Sequence, residues 1–398
     1  MRGRWIAAGA IVLMSLGLVV PVASATAGSS PEGTADWLKL STGLGGSHVC
    51  GIRTTHELYC WGTDAYDVLG NGPGQTDQTT PLEVGGTSRT WKAVSTGFAH
   101  TCAITVDGHL FCWGWDSYGQ LGDGPGITNQ NVPTEVSGAT GDWASVSAGQ
   151  YHTCARKTTG HLYCWGRDSQ GAVGDDGSPT DRFVPTEVAG GLSTWASVSA
   201  GYDFTCARRT DRRVLCWGND AQDQVGDGPT LGSKYTPVLV AGGITDWTSV
   251  SAGGAHACAR RATGRIYCWG KDGSGRLGDG GANTNRNAPT PVAGGITDWA
   301  SVSAGYDHTC ARRAIGRLYC WGEDGVGAVG DGAGGTDRTS PREVSGASTN
   351  WSGTFVAANN VSCARRTDKR LYCWGFGGLF MLGNASTSNR FAPVEVSS

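Results

Sequence analysis

Fourteen cysteines fall into seven pairs, each with nine residues between its members: Cys50 and Cys60, Cys102 and Cys112, Cys154 and Cys164, Cys206 and Cys216, Cys258 and Cys268, Cys310 and Cys320, and Cys363 and Cys373. In five of them a histidine stands two positions ahead of the first cysteine: His48, His100, His152, His256 and His308. An imidazole beside two thiols admits three chemistries: a zinc site, a dithiol redox couple or a structural disulfide. The zinc reading needs the histidine as a third ligand. Phe204 and Val361 replace it in two units that keep both cysteines. The cysteines therefore answer to something the histidine does not, and complete pairing of an even count points to disulfides.

Successive pairs lie 52 residues apart, with one step of 53 into the last. Each unit opens on a tryptophan (Trp37, Trp91, Trp143, Trp195, Trp247, Trp299, Trp351) and carries a second directly after its second cysteine (Trp61, Trp113, Trp165, Trp217, Trp269, Trp321, Trp374). A fixed period of about 50 residues is the signature of a repeat architecture, and it overrides the two or three domains that length alone suggests.

Within unit two, four strands are expected: Lys92–Ser95, His100–Thr105, His109–Gly114 and Val132–Val136, punctuated by Gly97, Asp107-Gly108 and Gly122-Asp123-Gly124. The middle two form a hairpin around Val106-Asp107-Gly108, with Gly108 suited to positive φ. The turn places Cys102 and Cys112 directly opposite each other, with Cα atoms about 4.5–5.5 Å apart, within reach of a disulfide. Period-two alternation puts His100, Cys102, Leu110 and Cys112 on one face and Thr101, Ala103, Phe111 and Trp113 on the other. Each unit is then a small sheet with one aromatic face and one flatter, sulfur-bearing face. Radial stacking buries every aromatic face on a neighbour's flat one. Four strands per unit, seven units and no helical periodicity give an all-β, seven-bladed β-propeller with one disulfide per blade.

The N-terminus bears on compartment. Arg2 and Arg4 precede an apolar run from Ile6 to Val20 and small residues at Ala23-Ser24-Ala25, the pattern of a cleaved secretory leader. We expect a signal peptide over residues 1–25, a linker over 26–36, a propeller over 37–398 and a secreted product. Loss of two arginines takes the formal charge from -3 to about -5. A mildly acidic chain without a basic tract gives no reason to expect nucleic acid as a partner. No later stretch is long and apolar enough to span a membrane. No phosphate loop, nucleophile elbow or metalloprotease motif occurs, so neither a cofactor nor an enzymatic activity is expected.

The stretch STGFAHTCAITVDGHLFCWGWDSYGQLGDG closely resembles the regulator of chromosome condensation (RCC1-type) repeat. It shares the Gly-x-x-His lead-in, the Asp-Gly turn, the aromatic-x-Trp-Gly strand and the Gly-Gln-Leu-Gly tail. The likeness runs from Trp37 to Val396 and implies a seven-bladed propeller, in agreement with the unit count. The family's nuclear namesakes exchange guanine nucleotide on a small GTPase and bind chromatin. Its secreted bacterial members include inhibitors that clamp β-lactamase with one face. The cysteine pairs and the leader place this chain with a secreted, disulfide-bearing bacterial branch. It has no basic tail, and its near-constant spacing leaves no inserted wedge.

Residues present in nearly every unit are architectural. The five histidines are expected to be buried and to bond turn backbone. The recurring acids Asp64, Asp116, Asp168, Asp220, Asp272 and Asp324 are expected to cap their own loops rather than bind calcium. The pairs Arg208-Arg209, Arg260-Arg261, Arg312-Arg313 and Arg365-Arg366 are expected to form a solvated rim opposite those acids. Residues that break the repeat carry more information. Trp5 and the fourteen repeat tryptophans leave one of sixteen, Trp115. Tyr118 shares its loop, Tyr66 lies in the matching loop of unit one, and Phe376, Phe380 and Met381 lie in that of unit seven. Ring closure makes these units neighbours, so Trp115, Tyr118, Tyr66, Phe376 and Phe380 are the expected binding patch. Phe98, Tyr151, Tyr202 and Tyr306, in the lead-in loops, are assigned to the opposite end.

The sequence thus describes a secreted, monomeric propeller that binds a protein through loops on one face. Carbohydrate binding or polysaccharide processing is the alternative, and nucleotide-exchange activity a more distant one. Mass spectrometry of the exported chain is expected to find no free thiol and a gain of about 14 Da on full reduction, two hydrogens per bridge. Alkylation without prior reduction contradicts the framework.

Overall fold

The computed structural model describes residues 36–85, 89–138, 140–177, 179–230, 232–281 and 283–397. The expected leader and nearly all of the expected linker lie outside them. Asp36, assigned above to the linker, is part of the fold: its carbonyl accepts the Thr54 N–H and its carboxylate pairs with Lys369 at 2.7 Å.

Seven antiparallel sheets of four strands follow one another, each built from consecutive strands. Blade one holds β1 (Trp37–Thr42), β2 (His48–Arg53), β3 (Leu58–Gly62) and β4 (Gln78–Glu83). Blade two holds β5 (Trp91–Thr96), β6 (His100–Thr105), β7 (Leu110–Gly114) and β8 (Gln130–Glu135). Compared with the expected strands, β7 starts one residue later, and β8 starts two residues earlier and ends one earlier. Val136 lies beyond β8, yet it is buried and its N–H bonds the Leu110 carbonyl. Gly108 closes the hairpin at φ 96°.

Every expected disulfide is formed. Cys50 is bonded to Cys60, Cys102 to Cys112, Cys154 to Cys164 and Cys206 to Cys216. Cys258 is bonded to Cys268, Cys310 to Cys320 and Cys363 to Cys373. In all seven the Cα atoms are 4.1 Å apart, slightly closer than the sequence-based range. Each pair faces across the two central strands of its blade, as counting from the hairpin turn requires: Cys164 stands opposite Cys154, Cys216 opposite Cys206, Cys268 opposite Cys258, Cys320 opposite Cys310 and Cys373 opposite Cys363.

The face assignment holds. Cys50, Ile52, Leu58 and Cys60 of blade one pack against Trp91, Ala103, Phe111 and Trp113 of blade two, and Cys102, Ile104, Leu110 and Cys112 pack against Trp143, Ala155 and Trp165. Within each blade the two tryptophans lie 5.7–6.3 Å apart, both almost wholly buried. Burial of one such ring contributes up to about 4–6 kcal/mol by apolar area, as an upper bound.

Polar bonds repeat around the ring. The indole N–H following each second cysteine donates to a loop carbonyl of the preceding blade at 2.9–3.1 Å, including Trp61 to Met381 across the closure. A second circuit links loops to outer strands: Gly72 N–H to Asn131, Gly124 to Phe183, Asp176 to Tyr235, Gly228 to Asn287, Gly280 to Thr339, Gly332 to Phe391 and Ala385 back to Thr79. The ring therefore closes without any strand being exchanged between first and last blades. On the axis, a serine of each of the first six blades accepts the next blade's backbone N–H at 2.9–3.1 Å. Val356 stands at the matching register position in blade seven.

Two expectations are corrected. The five histidines do not bond turn backbone. Each Nε2 meets a hydroxyl of the next blade at 2.8–2.9 Å: Thr101, Thr153, Thr205, Thr309 and Ser362. Those hydroxyls donate onward to a loop carbonyl, as Thr153 does to Gln120, so they accept from an Nε2–H tautomer. The arginine pairs are also no free rim. Arg260 Nε, Arg312 Nε and Arg365 Nη1 donate to the carbonyls of Trp299, Trp351 and Trp37 in the next blade, while Arg261 and Arg313 pair with Asp246 and Asp298. In blade four the pair stays local: Arg208 Nη1 donates to the Arg209 carbonyl and Arg209 pairs with Asp211.

Desolvation holds His100 at a pKa of about 3, and its Nδ1 has no partner for a second proton. An unfolded chain binds that proton near 6.5, so the stability contributed by the neutral ring is lost as pH falls from 6.5 towards 3. Thr153→Ala is expected to cost about 1–3 kcal/mol by leaving Nε2–H without an acceptor. His100→Phe with Thr153→Ala, which copies the Phe204/Ala257 pair, is expected to recover part of that loss and to flatten the acid dependence. Urea unfolding with disulfides intact, from about pH 5 to about pH 8, measures both.

Candidate functional site

Strands alternate in direction, so the connections after the first and third strands of every blade leave the same end of the sheet. This corrects the placement of Phe98, Tyr151, Tyr202 and Tyr306: they share a face with Trp115. One backbone bond per blade ties the two connections together. Trp115 N–H donates to Ala99 at 2.8 Å, and Arg167 to Tyr151, Asn219 to Asp203, Lys271 to Ala255 and Glu323 to Asp307 follow the same rule. The lead-in aromatics are thereby held beside the longer loops.

The result is one network of rings. Trp115 lies 5.4 Å from Tyr66, 5.5 Å from Tyr118 and 5.4 Å from Tyr151. Tyr151 continues to Tyr118 at 5.3 Å, Phe98 at 5.6 Å and Tyr202 at 6.4 Å, and Tyr202 reaches Tyr306 at 5.5 Å. Most of these rings are half-buried, and Tyr66 is 46% exposed on a short 3-10 turn over Ala65–Asp67. Arg167 places its guanidinium 5.3 and 5.4 Å from the Tyr118 and Tyr151 ring centres.

The unit-seven residues stand apart. Phe376 packs on the core between blades seven and one, and Met381 is fully buried in it. Phe380 occupies the same face, but neither it nor Phe376 joins the ring network among the described residues. Of the five nominated residues, then, Tyr66, Trp115 and Tyr118 are brought together and Phe376 and Phe380 are not. The four lead-in aromatics take their place. Strand-direction parity would have located them, since it follows from counting connections.

Blade five breaks the arc. Its lead-in loop reads Gly253-Gly254-Ala255, and a Cβ on Gly254 would stand 2.5 Å from the Tyr306 carbonyl oxygen. Tyr202 and Tyr306, from blades four and six, meet across it. Beneath them is a pocket of about 270 Å³ lined by Asp203, Gln222, Gln224, Lys271, Arg276 and Asp307 with the two tyrosines. The Arg276 side chain is 4% exposed and pairs through Nη1 with Asp307, while its Nε has no partner. Burial raises the Asp203 pKa, opposed by Arg167, and no hydrogen bond or ion pair to its carboxylate is formed among the described residues. A larger pocket, about 420 Å³, lies on the opposite face at Thr90, Asp107 and His109, where Arg89 covers Phe111 at 4.3 Å; it is remote from the arc.

The aromatic face is strongly acidic. Its loops hold twenty Asp and Glu against three Lys and Arg: Arg167, Lys271 and Arg276. Some of the acids are structural. Asp64, Asp116, Asp168, Asp220, Asp272 and Asp324 each accept the backbone N–H five residues on, at 2.9–3.0 Å, so they cap their loops as expected, over a longer reach than an Asx turn. Among the described residues no group of three or more His, Cys, Asp or Glu is arranged to hold a metal.

The architecture is a seven-bladed propeller with one recurring tryptophan bond between blades and an asymmetric loop face. The chain belongs to the RCC1-like domain family, whose pattern matches residues 25–293 and 129–398. The ultraviolet-B receptor UVR8 of Arabidopsis thaliana is 31% identical over 263 residues, covering 65% of this chain and 58% of that protein. The mitochondrial RCC1 domain-containing protein RUG3 of the same plant is 28% identical over 285 residues, covering 68% and 62%. The chain thus spans about three fifths of those relatives' length. Prp20p of Saccharomyces cerevisiae shares the fold at a TM-score of 0.75 and 19% identity, over 87% of both chains. Human WBSCR16 does so at 0.71 and 20%, over 81% and 84%. No described helix is long and apolar enough to cross a membrane.

Burial pushes the Asp116 pKa up to about 7 from an ordinary 3.8. Between those values the folded chain holds a proton that the unfolded chain has lost, so stability falls as pH rises through the window and the penalty is full above about 7. Asp116→Asn keeps an acceptor for the Leu121 N–H and removes the charge. It is expected to raise the urea midpoint at about pH 8 and to leave it unchanged at about pH 4; an equal shift at both pH values contradicts the assignment.

Proposed function

We propose that this chain is a secreted, monomeric protein-binding propeller that presents the Tyr66–Trp115–Tyr306 arc to its partner. The observation that carries the reading is the continuity of seven aromatic rings on one loop face, around a tryptophan that occurs in one blade only. Large rings held by backbone bonds lose little conformational freedom on binding, and rings of this kind dominate protein interfaces. A solved relative, Prp20, is described bound to Kap60, which favours a protein as partner. Seven disulfides suit an oxidising compartment, and the residues of the leader suit export. A sugar-binding propeller would repeat one aromatic-and-polar pocket blade after blade. Here the rings form one composite surface, and binding rather than catalysis accounts for it.

Capture from the medium in which the protein is made, followed by titration of the captured protein, tests this. Trp115→Ala is expected to retain the fold and all seven disulfides and to weaken binding by about thirtyfold, the scale of an interface anchor. Unchanged affinity removes the arc as the binding surface.

A further inference from the structure

The face that carries the arc is acidic, and its one built pocket combines features that select a particular kind of segment. Asp203 offers a half-buried carboxylate with no direct partner, in a pocket that Tyr202 and Tyr306 also line, their ring centres 5.5 Å apart. Arg276, buried in the lining of the same pocket, keeps an Nε–H without an acceptor. A carboxylate flanked by aromatic rings suits a guanidinium or ammonium group, and a lone N–H donor suits a backbone carbonyl. Arg167, stacked on Tyr118 and Tyr151, shows the arc's rings already accepting a cation from the chain itself. Around this pocket the surplus of twenty acids over three basic residues would draw a positively charged partner and repel an anionic one. The basic residues that open the outer strands reduce this surplus without cancelling it: Arg182, Lys234, Arg286 and Arg338 pair with Asp175, Asp227, Asp279 and Asp331, which leaves sixteen acids against the three basic residues of the loops.

We infer that the partner surface is a basic, arginine- or lysine-rich protein segment, one cationic side chain of which enters the blade-five pocket toward Asp203 while a neighbouring carbonyl takes the Arg276 Nε–H. The inference rests on the protein-binding reading of this face and specifies its partner's chemistry. It requires a peptide rather than a bare polycation, because only a peptide supplies the carbonyl. It also separates the two ends of the disc, since the second strands of blades four to seven end in Arg-Arg on the other face.

The test uses the full chain and three probes: an acetylated, amidated nonapeptide alternating glycine and arginine, its glutamate counterpart, and spermine. Calorimetric titration in low salt is expected to show binding of the arginine peptide, none of the glutamate peptide, and at least fivefold weaker binding of spermine. Raising the salt should weaken the arginine peptide severalfold. Asp203→Asn, which keeps the shape of a side chain without a bonded partner, is expected to weaken it about tenfold. Trp115→Ala should weaken it as well, with the fold checked by the intact disulfides. Equal binding of both peptides, spermine as tight as the peptide, or no effect of Asp203→Asn overturns the inference. A Trp115-dependent natural partner that is captured while the arginine peptide fails to bind sinks the cationic partner and leaves the protein-binding reading standing. Sedimentation velocity on the same samples decides one more case: salt-sensitive self-association abolished by Asp203→Asn would put a second copy's arginine-bearing face in the pocket, and overturn the separate partner.

Discussion

The indole N–H bond from each blade's inner tryptophan to a loop carbonyl of the preceding blade is the contact on which the molecule depends. It forms seven times, including once across the closure, and it is buried at every occurrence. A large apolar ring must leave water to stabilise a small sheet, but its N–H must not be left without an acceptor. Placing the acceptor on the neighbouring blade meets both demands and fixes the spacing between sheets. The disulfides act inside single hairpins and cannot perform this task. They hold each flat face in shape for the next blade's rings to rest on.

The same rule is written a second time, in a form that varies along the chain. Wherever a blade has the lead-in histidine, the next blade has a hydroxyl to receive it. Where blade four has Phe204, blade five has Ala257; where blade seven has Val361, blade one has Val49. Polar meets polar and apolar meets apolar at all seven junctions. A buried donor without an acceptor costs more than losing both partners together, so the two positions change as a unit. The apolar junction between blades seven and one coincides with the missing axial serine, at Val356. The seam is held by rings, the Trp61 bond, the Ala385–Thr79 bond and the Arg365–Trp37 bond, with fewer hydroxyl links than the other junctions.

The proposed binding face lies where this regularity is broken. Gly254 removes an aromatic from blade five, lets the tyrosines of blades four and six meet, and leaves a polar pocket below them. Arg276 occupies the position whose carbonyl serves the next blade's tryptophan. Its backbone does the repeated structural work while its side chain faces a different task. At this pocket the break in regularity is carried by Gly254 and the side chains around it, and the tryptophan bonds that hold the ring stay intact.

Blade number, strand content, hairpin register, disulfide pairing and the alternation of aromatic and sulfur-bearing faces were all legible in the sequence, because each depends on spacing along one chain segment: Cys102 faces Cys112 by counting from a turn. The buried state of the histidines and the capping by Asp64 and its equivalents were legible for the same reason. What the segment next door supplies was not. The acceptor for His100 lies on Thr153, the acceptor for Arg312 is the carbonyl of Trp351, and Tyr202 finds Tyr306 only because a blade between them lacks a side chain. Phe376 looked like a surface residue because its loop matches that of Trp115, yet the closing junction draws it toward the core. The sequence by itself determined each blade, since local period and turn chemistry set a four-stranded sheet. Only the tertiary structure decided which rings share a face and which polar groups meet, since those contacts join residues far apart in the chain, and no pattern within one repeat encodes its neighbour's side chains.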